Sequence, residues 1–66
     1  MTKLVHDANQ IALFFASYPR DQAIASVEEH FRKFWTPRMR AQLAGFAREG
    51  GEGLHELALD AARRLE

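Results

Sequence analysis

Three breaks constrain this chain more than anything else in it: Tyr18-Pro19, Thr36-Pro37 and Gly50-Gly51. A residue before proline is pushed out of helical geometry, and a glycine supplies the left-handed conformation on which helices often end. Between the breaks lie four stretches with apolar residues at helical spacing. The first runs from about Thr2 to Ser17 and aligns Leu4, Ala8, Ile11, Ala12 and Phe15. The second starts near Asp21, a good capping residue, and puts Ile24, Val27, Phe31, Phe34 and Trp35 on a shared stripe. In the third, Thr36 can cap the orphan N–H groups, and Pro37 has no N–H to leave unpaired at the first position. Met39, Leu43, Phe46 and Ala47 align behind them. The fourth begins after Gly53 and brings Leu54, Leu57, Ala58, Ala61 and Leu65 together. No period-2 alternation, hairpin turn or phosphate-binding glycine loop interrupts this pattern. It predicts one all-α domain over residues 1–66, a bundle of three to four short helices. Leu4, Ile11, Phe15, Ile24, Val27, Phe31, Trp35, Leu43, Phe46, Leu54 and Leu57 are the expected core.

Size and charge narrow the function. A chain of 66 residues buries only about 60% of its unfolded surface and is marginal by itself. Domains of this size usually add a disulfide, a metal or an oligomeric contact. With no cysteine there is no disulfide, thiolate metal site or iron–sulfur ligand set. Association is the expected remedy, against the plainer reading of a small bundle that folds alone. Nine Lys+Arg balance nine Asp+Glu, with a pI near 6.8. That balance suits a subunit of a complex better than a nucleic-acid-binding domain. The apolar run from Ile11 to Ala16 is far too short to cross a bilayer. Together with the missing cysteines, this points to the cytoplasm rather than to a membrane.

No constellation carries chemistry. His6, His30 and His55 fall on three different helices, and none is paired at a ligand spacing. Glu28 and Glu29 are adjacent and point about 100° apart, so they form no catalytic carboxylate pair. Ser17 and Ser26 lack the strand-turn-helix setting of a nucleophile. We therefore expect no catalytic residue, no cofactor-binding residue and no metal ligand, and a chain that is not an enzyme on its own.

The residues that break local rules are more informative. Arg38 and Arg40 occupy the second and fourth positions of the third helix, where the dipole disfavours each by roughly 0.3–1 kcal/mol. Something outside that helix has to offset the cost. Leu13 and Phe14 fall off the first stripe and Leu59 off the last. Ala41 and Gly45 lie one turn apart on the outward side of the third helix, and Gly45 costs it about 1 kcal/mol relative to Ala. Leu13, Phe14, Trp35, Arg38, Arg40, Ala41, Gly45 and Leu59 thus make up a candidate partner interface. The bland alternative is a slightly apolar surface with imperfect helix phasing. Charge is also segregated: Arg32, Lys33, Arg38, Arg40 and Arg48 come without an acid, and then Glu49 to Asp60 without a base. Three readings stay open: internal pairs with Glu28 or Glu29, a protein contact of complementary charge, or a helix-turn-helix-like nucleic-acid module using the 36–48 helix.

Several blocks carry a family resemblance. They are Ala8-Asn9-Gln10-Ile11-Ala12 followed by Phe14-Phe15, His30-Phe31 leading to Phe34-Trp35, then Pro37-Arg38-Met39-Arg40, and Gly50-Gly51-Glu52-Gly53-Leu54. In this order they resemble the delta subunit of cytosolic NAD-dependent formate dehydrogenase. The Phe-Trp-x-Pro-Arg-Met-Arg block is the most specific of them. Thr36 stands where the family more often has Asp, which leaves capping intact, and His55-Glu56 replaces a segment expected to hold proline. The resemblance implies a small accessory subunit of a complex that oxidises formate to carbon dioxide and reduces NAD. It further implies docking on the catalytic subunit for assembly or stability. The molybdopterin guanine dinucleotide centre with molybdenum or tungsten, the iron–sulfur clusters and the FMN would reside in other subunits. Two roles are compatible with it: a permanent structural piece, or a transient factor in cofactor insertion with Arg38 and Arg40 near the pterin phosphates.

Overall fold

A computed structural model describes residues 2–65 as four α-helices: α1 (Thr2–Phe15), α2 (Arg20–Phe34), α3 (Pro37–Arg48) and α4 (Glu56–Arg63). The described residues include no strand, and the all-α bundle expected from the periodicity is the fold.

The helix ends differ from expectation where turn chemistry wins over period. α1 stops at Phe15, short of Ser17, because the N–H groups of Ala16 and Tyr18 turn back onto the carbonyls of Leu13 and Phe15 (3.3 and 3.0 Å). α2 begins at Arg20 behind Pro19, with no side-chain cap, and Asp21 lies inside its first turn. There its carboxylate still favours the positive helix end. Thr36 behaves as expected, its Oγ1 accepting from the Met39 N–H at 3.1 Å. α3 closes on a Schellman pair in which the Gly50 N–H donates to the Ala47 carbonyl (3.1 Å) and the Gly51 N–H to that of Phe46 (2.9 Å). Gly50 takes φ +114° and Gly51 φ +60°. α4 starts at Glu56, later than the expected start after Gly53. It is capped by His55, whose Nδ1 accepts from the Leu57 N–H at 3.1 Å.

One side chain anchors the loop between α3 and α4. Asn9 of α1 donates from Nδ2 to the Gly53 carbonyl (2.9 Å) and accepts at Oδ1 from the His55 N–H (2.8 Å). A single amide thus fixes both the loop and the residue that caps α4.

Phe31, Leu43 and Val27 are the largest fully buried side chains. Most of the residues packed around them are alanines: Ala8, Ala12, Ala23, Ala47, Ala58, Ala61 and Ala62. Small contact residues let helix axes approach closely, and α2 packs most extensively on α4. Ile24, Trp35 and Leu57 are buried as expected, whereas Leu4, Ile11, Phe15 and Leu54 are only half buried against this centre. Phe46 corrects the expected core. It is half exposed and outside the buried cluster, because α3 turns Leu43, Ala44 and Ala47 inward and Phe46 projects beside Leu43 on the side away from them. Phe34 also departs from its stripe: it is 72% exposed, at the end of α2 where no neighbouring helix covers it. Leu59 shows the reverse. Its off-stripe position is half buried against the core, and its Cδ1 would come within 2.5 Å of a Cβ placed on Gly51. The backbone of the glycine loop therefore packs closely on Leu59.

Candidate functional site

Aromatic side chains gather along the outer edge of α1 and α2. The Phe14 and Phe15 rings meet edge-on at 5.0 Å, and Phe15 meets Tyr18 edge-on at 5.6 Å. On α2 the His30 and Phe34 rings lie 4.8 Å apart, tilted by 42°. Two grooves join these groups. One of ≈ 330 Å³ is lined by Gln10, Ile11, Phe14, Phe15 and His30, and one of ≈ 230 Å³ runs between Phe15, His30, Lys33 and Phe34. The result is a continuous arc from Tyr18 through Phe14, Phe15 and His30 to Phe34. Phe14 is 73% exposed and Tyr18 44%. The helical period builds this arc, since His30 and Phe34 are one turn apart on α2 and Ile11 and Phe15 one turn apart on α1.

The eight residues expected at an interface do not form one patch. Phe14 lies on the arc. Leu13 is exposed, but turned about 100° from Phe14 around α1. Ala41 and Gly45 line a separate shallow groove of ≈ 260 Å³ with Gln42, Phe46 and Glu49. A methyl on Gly45 would meet only the Arg48 guanidinium, at 3.7 Å, so no close approach within this chain calls for glycine there. Leu59 packs on the core, and Trp35 is buried with its ring 4.6 Å from Phe31.

The two arginines of α3 part company. The Arg40 guanidinium folds back onto the end of α2, donating from Nη1 to the Trp35 carbonyl (2.5 Å) and the Arg32 carbonyl (3.2 Å). A cation unfavourable at the start of α3 is thus favourable at the negative end of α2. The offset needed for Arg40 comes from inside the chain. Arg38 is exposed and has no such arrangement. Every other Lys or Arg has a partner: Lys3 with Asp7, Arg20 with Glu56 and Asp60, Arg32 with Glu28, Lys33 with Glu29, Arg63 with Asp60, Arg64 with Glu28, and Arg48 is engaged as well. Among the described residues Arg38 alone stands without a carboxylate or carbonyl. A helix that reads a nucleic-acid groove would present several free cations at this point.

Sequence reasoning missed Phe34, His30 and Tyr18 as surface groups. The signal was present in the His30/Phe34 spacing, which has two rings one turn apart at the end of a helix. The described residues contain no group of three or more His, Asp or Glu that could hold a metal ion, and the sequence has no cysteine. Among the described residues no helix is long and apolar enough to cross a membrane.

Among protein families, the model described as the NADH-dependent formate dehydrogenase delta subunit (FdsD) matches residues 3–62. Comparison with curated proteins and with solved structures gave no match.

Proposed function

This chain belongs to the NADH-dependent formate dehydrogenase delta-subunit family, and from that premise we propose that it is a non-catalytic accessory subunit that docks on the catalytic subunit. It serves assembly or stability as a permanent structural piece. The observation that carries the reading is the uncovered aromatic arc. A chain this small exposes large rings only at a cost of about 25 cal/mol per Å² of apolar surface, and a partner surface recovers that cost. The donor set supports the same role, since with no thiolates and no clustered ligands the metal centre, clusters and flavin are carried by other subunits in this reading. Formate oxidation then takes place elsewhere in the complex, and this chain contributes binding free energy rather than a reacting group.

Co-expression tests the proposal directly. The enzyme complex produced without this chain should show a lower yield of active, metal-loaded enzyme. Produced with it, the chain should co-purify in fixed stoichiometry. An enzyme of unchanged yield, metal content and half-life in its absence, with no co-purification in its presence, would remove the accessory role.

A further inference from the structure

We infer that the aromatic arc of α1 and α2, together with Arg38 four residues beyond Phe34, seats an apolar segment of another subunit that presents a carboxylate to Arg38. The inference rests on the accessory-subunit reading and adds where the partner sits and what chemistry it brings.

Two observations commit the occupant. The first is charge. Arg38 is the one Lys or Arg without a partner among the described residues, and it stands where the α3 dipole opposes it. The arc beside it holds no free charge, because Lys33 at its rim is paired with Glu29 at 3.2 Å. The complementary surface is therefore apolar at its centre, with one acid at its edge. By chain length alone the Cα atoms of Phe34 and Arg38 lie within about 14 Å, inside one ordinary contact patch.

The second is area. A stable interface takes about 800 Å² from each partner. The described chain exposes 4176 Å², so such a contact covers roughly a fifth of it. A patch of that size reaches beyond the rings themselves, and the start of α3 with exposed Arg38 lies within its span of Phe34. The groove between Ile11, Phe14 and Phe15 is open and offers only Gln10 and His30 as polar groups. A small molecule would find too few converging hydrogen-bond partners there, whereas a large apolar side chain from a partner needs none.

The assembled enzyme complex provides the test. A photoreactive residue is placed by Phe14→p-benzoylphenylalanine or Phe34→p-benzoylphenylalanine, with Gln22→p-benzoylphenylalanine as the control on the outward face of α2, about three turns from Phe34. Cross-linked peptides are then identified by mass spectrometry. Positions 14 and 34 should link to an apolar stretch of another subunit that contains Asp or Glu, and position 22 should not. In parallel, Arg38→Gln should raise the dissociation constant by at least about tenfold, with less loss for Arg38→Lys. Links to a second copy of this chain overturn the occupant. Links from position 22 alone, in a complex that still co-purifies, overturn the surface while leaving the accessory role intact. Unchanged retention of Arg38→Gln overturns the carboxylate. Failure of even the unmodified chain to co-purify overturns the accessory role itself, and the docking site with it.

Discussion

The two flanks of α2 are finished in opposite ways. Toward α4 the surface is stitched by charge. The Arg20 guanidinium reaches both Glu56 and Asp60, Arg32 donates to the Arg64 carbonyl at 2.7 Å, and Glu28 takes Arg32 and Arg64 together. The hydrogen bond that Arg20 donates to Glu56, with Asp60 adding its charge, holds the Arg20 pKa above its ordinary value. Toward α1 the surface is aromatic, and its outer rings, Phe14 and Phe34, are left largely uncovered. Exposed ion pairs contribute little stability, so the stitched flank is a finished solvent face rather than a strong clamp. The aromatic flank costs free energy until it is covered. A polar side that satisfies itself and an apolar side that does not is the pattern of a subunit with one outward commitment.

Adjacent rings give the largest contrast between buried and uncovered surface. Trp35→Ala should cost the isolated chain about 3–5 kcal/mol, enough to unfold a marginal domain. Phe34→Ala should change thermal unfolding by less than ~0.5 kcal/mol while weakening retention in the complex. If both lower the melting temperature equally, the arc is internal structure and the comparison collapses. Gly51→Ala comes next, at about 2–4 kcal/mol. It combines a positive φ with overpacking on Leu59, and thermal denaturation followed by circular dichroism reads it. The α3 arginines sharpen the contrast further. Arg40→Gln should lose about 1–2 kcal/mol with its two carbonyl bonds. Arg38→Gln should leave the isolated chain as stable or up to ~1 kcal/mol more so, since a dipole conflict is relieved. Equal losses in a denaturant titration would mean that Arg38 has a partner inside the chain. The smallest effect is a gain. Gly45→Ala should stabilise the isolated chain by about 0.5–1 kcal/mol, because on a helix the methyl makes only an ordinary contact with the Arg48 guanidinium.

Much of this was legible from punctuation and period. Thr36-Pro37 and Gly50-Gly51 mark real helix ends, and Phe31, Val27, Leu43 and Leu57 fall inside as their spacing demands. The errors share a physical origin. Periodicity assigns a face but not what lies opposite it, so Phe34 on a sound stripe ends beyond the reach of its neighbours. Leu59, off its stripe, is covered by a loop that no period describes. Eight of the fourteen buried apolar residues are alanines, which were undervalued beside larger residues. Arg40 was rightly marked as a cation in the wrong place. The partner is a pair of backbone carbonyls five and eight residues earlier, which side-chain patterns do not reveal. Phe14 and Arg38 were expected at the surface and are exposed, but the arc on which Phe14 lies needed α1 and α2 side by side.

The Asn9 amide also sets a timetable. Its two bonds reach across 44 and 46 residues of chain, and Arg20 waits for Asp60 across 40 more. Helical turns form within about a microsecond, but translation at ~5–20 residues per second separates Asn9 from His55 by roughly 2–9 seconds. Through that interval α1 and α2 can coil and touch, but the Asn9 amide has not met the loop it anchors. The nascent chain holds its amide and its rings in the open until the last helix emerges. A partner already present at the ribosome would meet the aromatic edge before the fold is locked. Order of synthesis thus becomes a variable in assembly, and a circular permutant that places α4 ahead of α1 would reverse it.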